Sequence, residues 1–417
     1  MAEEMPQPGS AVGPMPRDER QAAAAACDTG KPVYGGQAVI EGVMMRGRNY
    51  AATAVRREDG DIVIRSEPVG GIVARHRWLS KPLLRGVFML GTSLSMGFRS
   101  LRFSADVLTA ELADQERTPL DEAELEFEPL PNDGILVRDP ATGLEVSSDR
   151  EPTRERNRRR AVRILRGKVG RHRAGCQNDS SGPATADAAT PAPAAGSMPV
   201  WSNVAMAVTM VAAVAFIIIV PHLGRKYIVG YMPVFNEYVY QIGGLTVNVG
   251  SNVAEGFIRL AFLLAYVWVI GFMPDIRRVF QYHGAEHKTV YGVEAGTELT
   301  VRNLRPCSRI HPRCGTNFLF IVIAVKVVLF SFLEWPNPVV RILARLALIP
   351  VVASIAYEIL RLAGRFRSSF LMRTLVAPGL WMQRLTTREP SDDQIEVAIR
   401  AMNETIALET KAAESHA

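Results

Sequence analysis

Residues 281–315 bring together side chains that commonly bind metal ions. The segment holds three of the chain's seven histidines and two of its four cysteines. Within it, His283, Glu286 and His287 form an H-x-x-E-H array. Residues four apart share one face of a helix, so the two histidines could hold the same ion. Glu286 then stands where a general base for an activated water is needed.

The ligands that would complete this array leave three interpretations open. In the first, His311 or Cys314 is the third ligand of a catalytic zinc ion, and water fills the fourth position. In the second, a closed structural zinc site is formed by His283, His287, His311 and Cys314. In the third, no metal binds, and the histidines are hydrogen-bonded core residues. Residues 281–315, which we call the metal-binding segment, therefore predict zinc as the cofactor if a metal binds, and they leave open a catalytic site, a structural site and no metal.

The same array is the ligand motif of inverzincin metallopeptidases. Those enzymes take a glutamate from well downstream as their third ligand, and Glu358 is the candidate at that distance in this chain. The H-x-x-E-H array is short, so a chance occurrence is the competing explanation.

Four apolar segments flank the metal-binding segment, and each reaches the length of a membrane-spanning helix. They predict an α-helical integral membrane protein with about four transmembrane helices and a small cytoplasmic α+β portion that includes an N-terminal β-hairpin. Lys and Arg concentrate between the second and third segments, before the first and after the fourth. By the positive-inside rule this pattern predicts a cell-membrane location with both termini in the cytoplasm. The predicted spans are residues 200–223, 253–273, 317–333 and 339–360.

Charged residues inside the predicted spans suggest a different class of function. Arg259, Lys326, Arg345 and Glu358 would each cost roughly 2.5–3.5 kcal/mol in hydrocarbon without a partner. Lys326 lies in the middle of its segment, and we expect it to meet a carboxylate or a carbonyl group. Such residues are also typical of an ion pathway or of a scaffold for other membrane proteins. Neither of these functions needs a catalytic metal.

The composition and charge of the chain limit the kinds of partner that it is expected to bind. The net charge is +6, but the basic residues flank apolar segments and do not alternate with aromatic residues. This distribution predicts contact with a lipid bilayer and no nucleic-acid partner. Four unevenly spaced cysteines do not make a disulfide framework, so Cys307 and Cys314 are expected to be ligands or reduced thiols.

The chain divides by composition into six regions. An Asp59-Gly60 turn predicts a hairpin in the second region, and Ser391 begins a capping box in the last. The third region is predicted as an amphipathic helix on the membrane surface, with a fifth span as the alternative. The regions are a disordered leader (1–32), a glycine-rich β module (33–75), a membrane-associated helix (76–110), a disordered charged linker (111–196), a four-span domain with the cytoplasmic loop 274–315 (197–365), and an interfacial segment followed by an amphipathic helix (366–417).

Glycines frame Glu41 and Arg46 in the β module. Glycine lets the backbone approach another surface closely, and metal-bound histidines need outer carboxylates to orient them. We therefore hypothesise that residues 35–47 fold over the metal-binding segment. Glu41 would then be a metal ligand, or Glu41 and Arg46 would orient the histidines or contact substrate. The alternative is an independent β module.

Four motifs together resemble the YqhQ-like family of bacterial membrane proteins. They are GGQAVIEGVMMRG, FQYHGAEHKTVYGVEAG, HPRCGTNFL and PGLWMQRLTTREPSDDQIEVAI. The resemblance covers residues 33–110 and 200–410. It implies an integral membrane protein of unknown function, sometimes described as a metal-dependent enzyme, and it supplies no substrate. From the residues we predict a metal-dependent hydrolase, with a non-enzymatic scaffold or ion-pathway protein as the alternative.

Overall fold

A computed structural model provides the coordinates. It describes residues 34–69, 81, 84–118, 120–149, 153–173, 239–242, 245–312, 314–331, 338–366 and 369–415. These residues fall into two compact units. The first unit contains Met1–Ala54, Ile64–Phe98 and Ala215–Ala417, and the second contains Val55–Val63 and Arg99–Val214.

A four-stranded sheet begins the described chain, with its strands in the order β1-β2-β3-β4. The bounds are β1 Gly35–Val39, β2 Gly42–Arg46, β3 Tyr50–Arg56 and β4 Ile62–Pro68. Between β3 and β4, Gly60 has a φ of 95° and its N–H donates to the Arg57 carbonyl. Glycine tolerates this left-handed conformation without strain. The predicted hairpin on Asp59-Gly60 is therefore confirmed.

Ten helices and two smaller sheets follow among the described residues. The helices are α1 Leu84–Arg117, α2 Arg154–Arg173, α3 Val249–Ile270, α4 Pro274–Ala295, α5 Val301–Leu304, α6 Gly315–Ser331, α7 Pro338–Ala347, α8 Ile349–Arg365, α9 Phe370–Thr386 and α10 Asp392–Glu414. A 3-10 turn covers Glu122–Glu124, and the remaining strands are β5 Glu126–Pro129, β6 Ile135–Arg138, β7 Glu145–Ser148, β8 Val239–Ile242 and β9 Leu245–Asn248.

The core of the first unit lies where α4 and α10 pack against β1 and β2. Val39 and Val43 of the hairpin are fully buried, as are Ile395 and Met402 of α10 within a few per cent. Ser391 and Gln394 form the predicted capping box at the start of α10. The predicted apolar stripe of this helix therefore packs on the element that carries the H-x-x-E-H array.

The prediction of a four-span helical membrane protein is contradicted. Among the described residues, no single helix combines the length and the apolarity needed to cross a membrane, although the bent pair Gly256–Ile270 and Pro274–Ala295, at 103° to each other, could do so by length and composition. The predicted segment 253–273 ends at this bend, and 339–360 is divided between α7 and α8. The helix α6 has only 17 residues. The predicted span 200–223 lies outside the described residues.

The structure also corrects the prediction that residues 111–196 form a disordered linker. Strands β5, β6 and β7 make an antiparallel sheet, against which α2 packs. Val137 and Leu165 are fully buried in the resulting core. Charged residues dominate the sequence here because they occupy the exposed faces of short elements. The few apolar residues that build the core are therefore easy to overlook. The predicted leader and residues 174–196 lie outside the described residues.

Candidate metal centre

The helix α4 presents the three residues of the H-x-x-E-H array on its buried side. It begins with Pro274 in the first turn and ends at Gly296, which has a left-handed φ of 69°. Both are common helix-boundary signals. Glu286 is 6% exposed and His287 is 1% exposed. Such deep burial of polar side chains demands partners.

Backbone carbonyls hold both histidines in one tautomer. His283 Nδ1 lies 2.9 Å from the Thr386 carbonyl oxygen, and His287 Nδ1 lies 2.5 Å from the Arg309 carbonyl oxygen. A carbonyl can only accept, so each Nδ1 must carry a proton and donate it. In the neutral ring the lone pair is then on Nε2. Carbonyl groups orient metal-binding histidines in the same way in known sites.

Cys314 completes a group of three potential ligands. Its Sγ lies 3.2 Å from His283 Nε2 and accepts hydrogen bonds from the Thr316 N–H at 3.5 Å and the Thr316 hydroxyl at 3.3 Å. The ligand atoms of His283, His287 and Cys314 all lie within 4.8 Å of one another. Around a tetrahedral zinc ion with ordinary bond lengths, neighbouring ligand atoms are about 3.3–3.6 Å apart. The three side chains would need to close by only about 1 Å.

Within the ligand group, His287 Nε2 lacks a hydrogen-bond partner among the described residues. It is buried, and within the described part of the chain it makes no hydrogen bond. An unsatisfied buried nitrogen costs roughly 1–3 kcal/mol. A metal ion between it, His283 and Cys314 would use the lone pair. The donor set of two imidazoles and one thiolate suits zinc.

Glu286 faces the same space. Its Oε2 lies 3.9 Å from His283 Nε2 and 4.0 Å from His287 Nε2. These distances are too long for hydrogen bonds but fit a water or an ion between the groups. Burial raises the pKa of Glu286 to about 7, against the opposing effects of the His283 charge and a hydrogen bond from the Gly36 N–H. A carboxyl group with this pKa can hold or release a proton near neutral pH.

The hairpin reaches Glu286 because position 36 has no side chain. A Cβ on Gly36 would lie 2.7 Å from Glu286 Cγ and 2.6 Å from the Met44 carbonyl oxygen. Both distances are closer than real Cβ atoms come. Glycine is therefore required for β1 to bring its N–H to the carboxylate.

The segment between α9 and α10 approaches α4 equally closely. A Cβ on Gly284 would lie 2.2 Å from the Arg388 carbonyl oxygen. The Arg388 N–H donates to the Phe280 carbonyl at 2.8 Å, and the Lys288 ammonium donates to Glu389 at 2.5 Å. These contacts fix the position of the Thr386 carbonyl that orients His283.

His311, predicted as a ligand, lies next to this group but outside it. Its Nε2 is 3.3 Å from a carboxylate oxygen of Glu294, and its ring packs edge-on to Tyr291. Gln383 binds its backbone on both sides, accepting from the N–H and donating to the carbonyl, each at 2.8 Å. Of the two candidates for a third ligand, the structure therefore brings Cys314 to the histidines.

Glu41 and Arg46 have partners elsewhere. The Glu41 carboxylate forms a two-pronged ion pair with Arg278, with both distances 2.5 Å, and accepts from the Tyr282 hydroxyl at 3.3 Å. Arg46 donates to Ser93 at 3.2 Å. Among the described residues, no hydrogen bond joins Glu41 to the ligand group. The hairpin does fold onto α4 as hypothesised, but Gly36 makes the contact with the site.

Two of the four charged residues predicted inside the membrane, Glu358 and Lys326, were singled out as candidate functional residues, and both lie outside the ligand group. Glu358 pairs with Arg85, whose Nε lies 2.6 Å from Oε1. The Lys326 ammonium lies 5.9 Å from the centre of the Phe330 ring. Glu358 is not among the ligand atoms that lie within 4.8 Å of one another, so it does not supply the third ligand.

Several groups that build the site were not found from the sequence. They are backbone atoms: the Gly36 N–H and the carbonyls of Thr386 and Arg309. The paired glycines Gly35-Gly36 are the only sequence signal for any of them, and they pointed to a close approach without naming its target.

Comparison with known proteins identifies the family of this chain. Residues 81–408 match the family described as "Protein of unknown function (DUF1385)". The chain belongs to this family. It is 30% identical to the uncharacterized protein YqhQ of Bacillus subtilis (strain 168) over 384 residues, which are 91% of this chain and 93% of that protein. The resemblance predicted from the motifs is confirmed. No solved structure shows a significant match.

Neither the family description nor the relative's name states an activity, a partner or a location. The predicted cell-membrane location and contact with lipid therefore stay predictions.

Proposed function

We propose that His283, His287 and Cys314 bind a zinc ion and that the protein is a metal-dependent hydrolase. The observation that carries this proposal is the buried, unpartnered His287 Nε2 beside two other ligand atoms. A bound zinc ion supplies a Lewis acid to water or to a substrate carbonyl. The chain's own residues orient the ligands and supply Glu286 as the group that takes the proton.

The position of Glu286 suits that role. Its carboxylate is one water away from both Nε2 atoms, and the Gly36 N–H holds its orientation. Burial raises the pKa of the Glu286 carboxyl, and a zinc ion beside it would lower this pKa again, which favours the carboxylate that accepts a proton. The proposed substrate contains a bond that water can cleave when a carbonyl or phosphoryl oxygen next to it is polarised.

The first experiment measures metal content. The full-length protein is purified and its zinc is counted by elemental mass spectrometry. We expect one zinc per chain, lost in His287→Ala and Cys314→Ala. His311→Gln is the matched control, because His311 is equally buried but pairs with Glu294. Equal zinc loss in His311→Gln, or no zinc in the wild type, would contradict the assignment.

The second experiment separates catalysis from structure. Glu286→Gln keeps the shape of the side chain but cannot accept a proton. As a hydrolase, this variant should retain zinc and lose turnover of a panel of peptide and ester substrates by about 100-fold or more.

A closed structural site is the second candidate, because the same distances of 3.9 and 4.0 Å would let Glu286 move in as a fourth ligand. In that case Glu286→Gln weakens zinc binding instead. The absorption spectrum of the cobalt-substituted protein would also change between wild type and variant.

A further inference from the structure

The helix α3 exposes apolar side chains along one side. From position 256 to the bend before α4, every exposed residue is apolar or aromatic. Phe257, Ala261, Ala265, Trp268 and Phe272 follow one another at intervals of three or four residues, so they form a stripe along the helix. A helix at the surface of a protein in water shows the reverse pattern. The other exposed residues of this stretch are Tyr266, Val269 and Met273.

The helix α9 of the same unit also exposes large apolar side chains. Phe370, Leu371 and Trp381 are each more than half exposed, as Phe257, Trp268 and Phe272 are. The helices α3 and α9 contact each other, and both pack against α6. The exposed side chains therefore belong to one packed group of helices. We call Phe257, Trp268, Phe272, Phe370, Leu371 and Trp381 the apolar surface.

Another helix of the first unit shows that this exposure is local. The helix α10 buries Ile395 and Met402, and apart from two alanines its exposed residues are polar or charged. The usual separation of apolar from polar residues therefore holds at α10 and is reversed at α3. Large apolar side chains grouped on the outside of a folded protein mark an interaction surface.

The order of residue types along α3 and α9 identifies the partner. Trp268 is in the last turn of α3 and packs edge-on to Phe272, with ring centroids 4.9 Å apart, and Arg277 follows in the first turn of α4. On α9, Trp381 is followed by Arg384 in the last turn. Tryptophan prefers the boundary between acyl chains and water, and the forked donors of arginine match phosphate oxygens. The same order of apolar residues, tryptophan and arginine on two helices fits a lipid bilayer.

The charges of these two arginines are available to a partner. Both side chains are exposed, and among the described residues neither Arg277 nor Arg384 forms an ion pair, although Asp275 lies in the same turn as Arg277. Arg373 is exposed at the other end of α9. The aliphatic part of an arginine can lie along an apolar surface while its guanidinium group reaches water, so this residue is compatible with the same partner.

We propose that the apolar surface contacts the acyl chains of a lipid bilayer, with Arg277 and Arg384 at the level of acidic phospholipid headgroups. The burial of apolar side chains and the attraction of basic residues to anionic lipid both stabilise such a contact. The proposal does not require a helix that crosses the bilayer. It uses no residue of the ligand group and no bound metal, so its failure would leave the metal assignment unaffected.

Photolabelling of the full-length protein tests the contact directly. The purified protein is reconstituted with vesicles of phosphatidylcholine and phosphatidylglycerol that contain a phospholipid with a diazirine on one acyl chain. After illumination, mass spectrometry identifies the labelled peptides. We expect α3 and α9 to be labelled about 10-fold more strongly than α10, which is the internal control. Labelling of α3 and α9 that does not exceed that of α10 would overturn the proposal.

A second copy of the chain is the other partner that could cover the apolar surface. Sedimentation velocity of the lipid-free protein measures this association. A dimer that dissociates in the variant Trp268→Ser with Phe272→Ser, together with an absence of lipid labelling on α3 in the wild type, would overturn the proposal in favour of a subunit interface.

Variants test the position of the arginines. A diazirine carried by phosphatidylglycerol should label α3 and α9 about 3-fold more strongly than one carried by phosphatidylcholine. Arg277→Gln with Arg384→Gln should abolish this preference. Arg302→Gln with Arg400→Gln removes the same charge from exposed positions on α5 and α10 and should leave the preference unchanged. Equal losses in the two pairs would overturn the placement of Arg277 and Arg384 at the headgroups, because net charge alone would then explain the preference.

Discussion

Two helices of similar length follow opposite rules of burial. The helix α2 buries apolar residues and exposes its charges, as amphipathic helices in water do. The helix α4 buries an unbroken polar run, Glu286, His287, Lys288 and Thr289. Within this run, the Glu286 carboxylate, His287 Nδ1, the Lys288 ammonium and the Thr289 hydroxyl each make a hydrogen bond, whereas His287 Nε2 makes none among the described residues.

The difference separates two kinds of evidence for function. Burying a polar group without a hydrogen bond costs free energy. Since backbone contacts satisfy most of the buried polar groups of α4, the unsatisfied His287 Nε2 indicates a functional site. A charged side chain on the surface costs little free energy, so the exposed charges of α2 are weaker evidence for function, even though they are crowded. The proposed metal centre rests on one unsatisfied buried atom, His287 Nε2.

If the proposed zinc ion is bound, its removal should have the largest effect on this comparison. An ion that binds only the folded state stabilises it by about 2.7–4.1 kcal/mol when its concentration is 100 to 1,000 times its Kd. A chelator should therefore speed amide hydrogen exchange in α4 by roughly 100-fold or more, while α2 serves as the internal control. Hydrogen exchange followed by mass spectrometry measures both helices in one sample. Equal acceleration in α2, or none in α4, would contradict a metal on α4.

A core substitution in α2 should have the next largest effect. Leu165 is fully buried in the core of the second unit. Leu165→Ala removes packing and leaves a cavity, which should lower the free energy of unfolding of that unit by about 2–5 kcal/mol. Leu112→Ala is the control, since Leu112 is 55% exposed. Chemical denaturation measures both, and no difference between the two variants would restore the prediction of a disordered segment.

The sequence predicted the parts of the molecule that depend on side-chain spacing. Two histidines four apart meet on α4, the hairpin turns at Gly60, and α10 buries its stripe after the capping box. Cys314 was named as a ligand because few cysteines exist, but its choice over His311 depended on where Glu294 lies. The pairing of His311 with Glu294 joins residues that do not lie in the same helix or strand, so no periodic pattern in the sequence predicts it.

The errors have physical causes as well. The membrane spans were predicted from the number of apolar residues, and that number does not show where one helix ends and the next begins. Pro274 and Pro350 each stand in the first turn of a new helix. The Gly36 N–H contacts Glu286, which is 250 residues further along the chain. Because a backbone atom makes this contact, no side-chain pattern in the sequence could predict it. In the second unit, short strands bury only alternate residues, and their charged neighbours dominated the composition.

A buried carboxyl group in the second unit provides a test by pH. Glu111 is 4% exposed, and its pKa is raised to about 7 by burial and then by the nearby Glu58 charge. The folded state therefore holds this proton more tightly than the unfolded state, whose pKa is the ordinary 4.5. The contribution of this group to stability is greatest below pH 4.5, falls between pH 4.5 and 7, and is constant above that range.

The total loss across this window should be about 3 kcal/mol. Glu111→Gln cannot titrate and should remove the decline, which denaturation midpoints at pH 4.5, 6 and 8 would measure as a difference from wild type. Parallel curves for the two proteins would show that Glu111 titrates normally.

The smallest effect concerns the hairpin that contacts Glu286 beside the proposed metal centre. Glu41 adopts a left-handed φ of 52°, which is unfavourable for a residue with a Cβ, and it is held there facing Arg278. Glu41→Gln keeps the conformational cost and loses the ion pair, so it should destabilise the first unit by about 1 kcal/mol. Glu41→Asn also loses the pair, but asparagine tolerates the left-handed region, so its loss of stability should be smaller.

The same two variants should also affect Glu286. Because the same hairpin carries the Gly36 N–H to Glu286, a looser hairpin should hold that carboxylate in a less fixed orientation. Both variants should then shift the spectrum of the cobalt-substituted protein in the same direction, with Gln shifting it further. If Asn proves more stable than wild type and leaves the spectrum unchanged, backbone strain rather than the Arg278 pair governs the hairpin, and Gly36 holds its place without it.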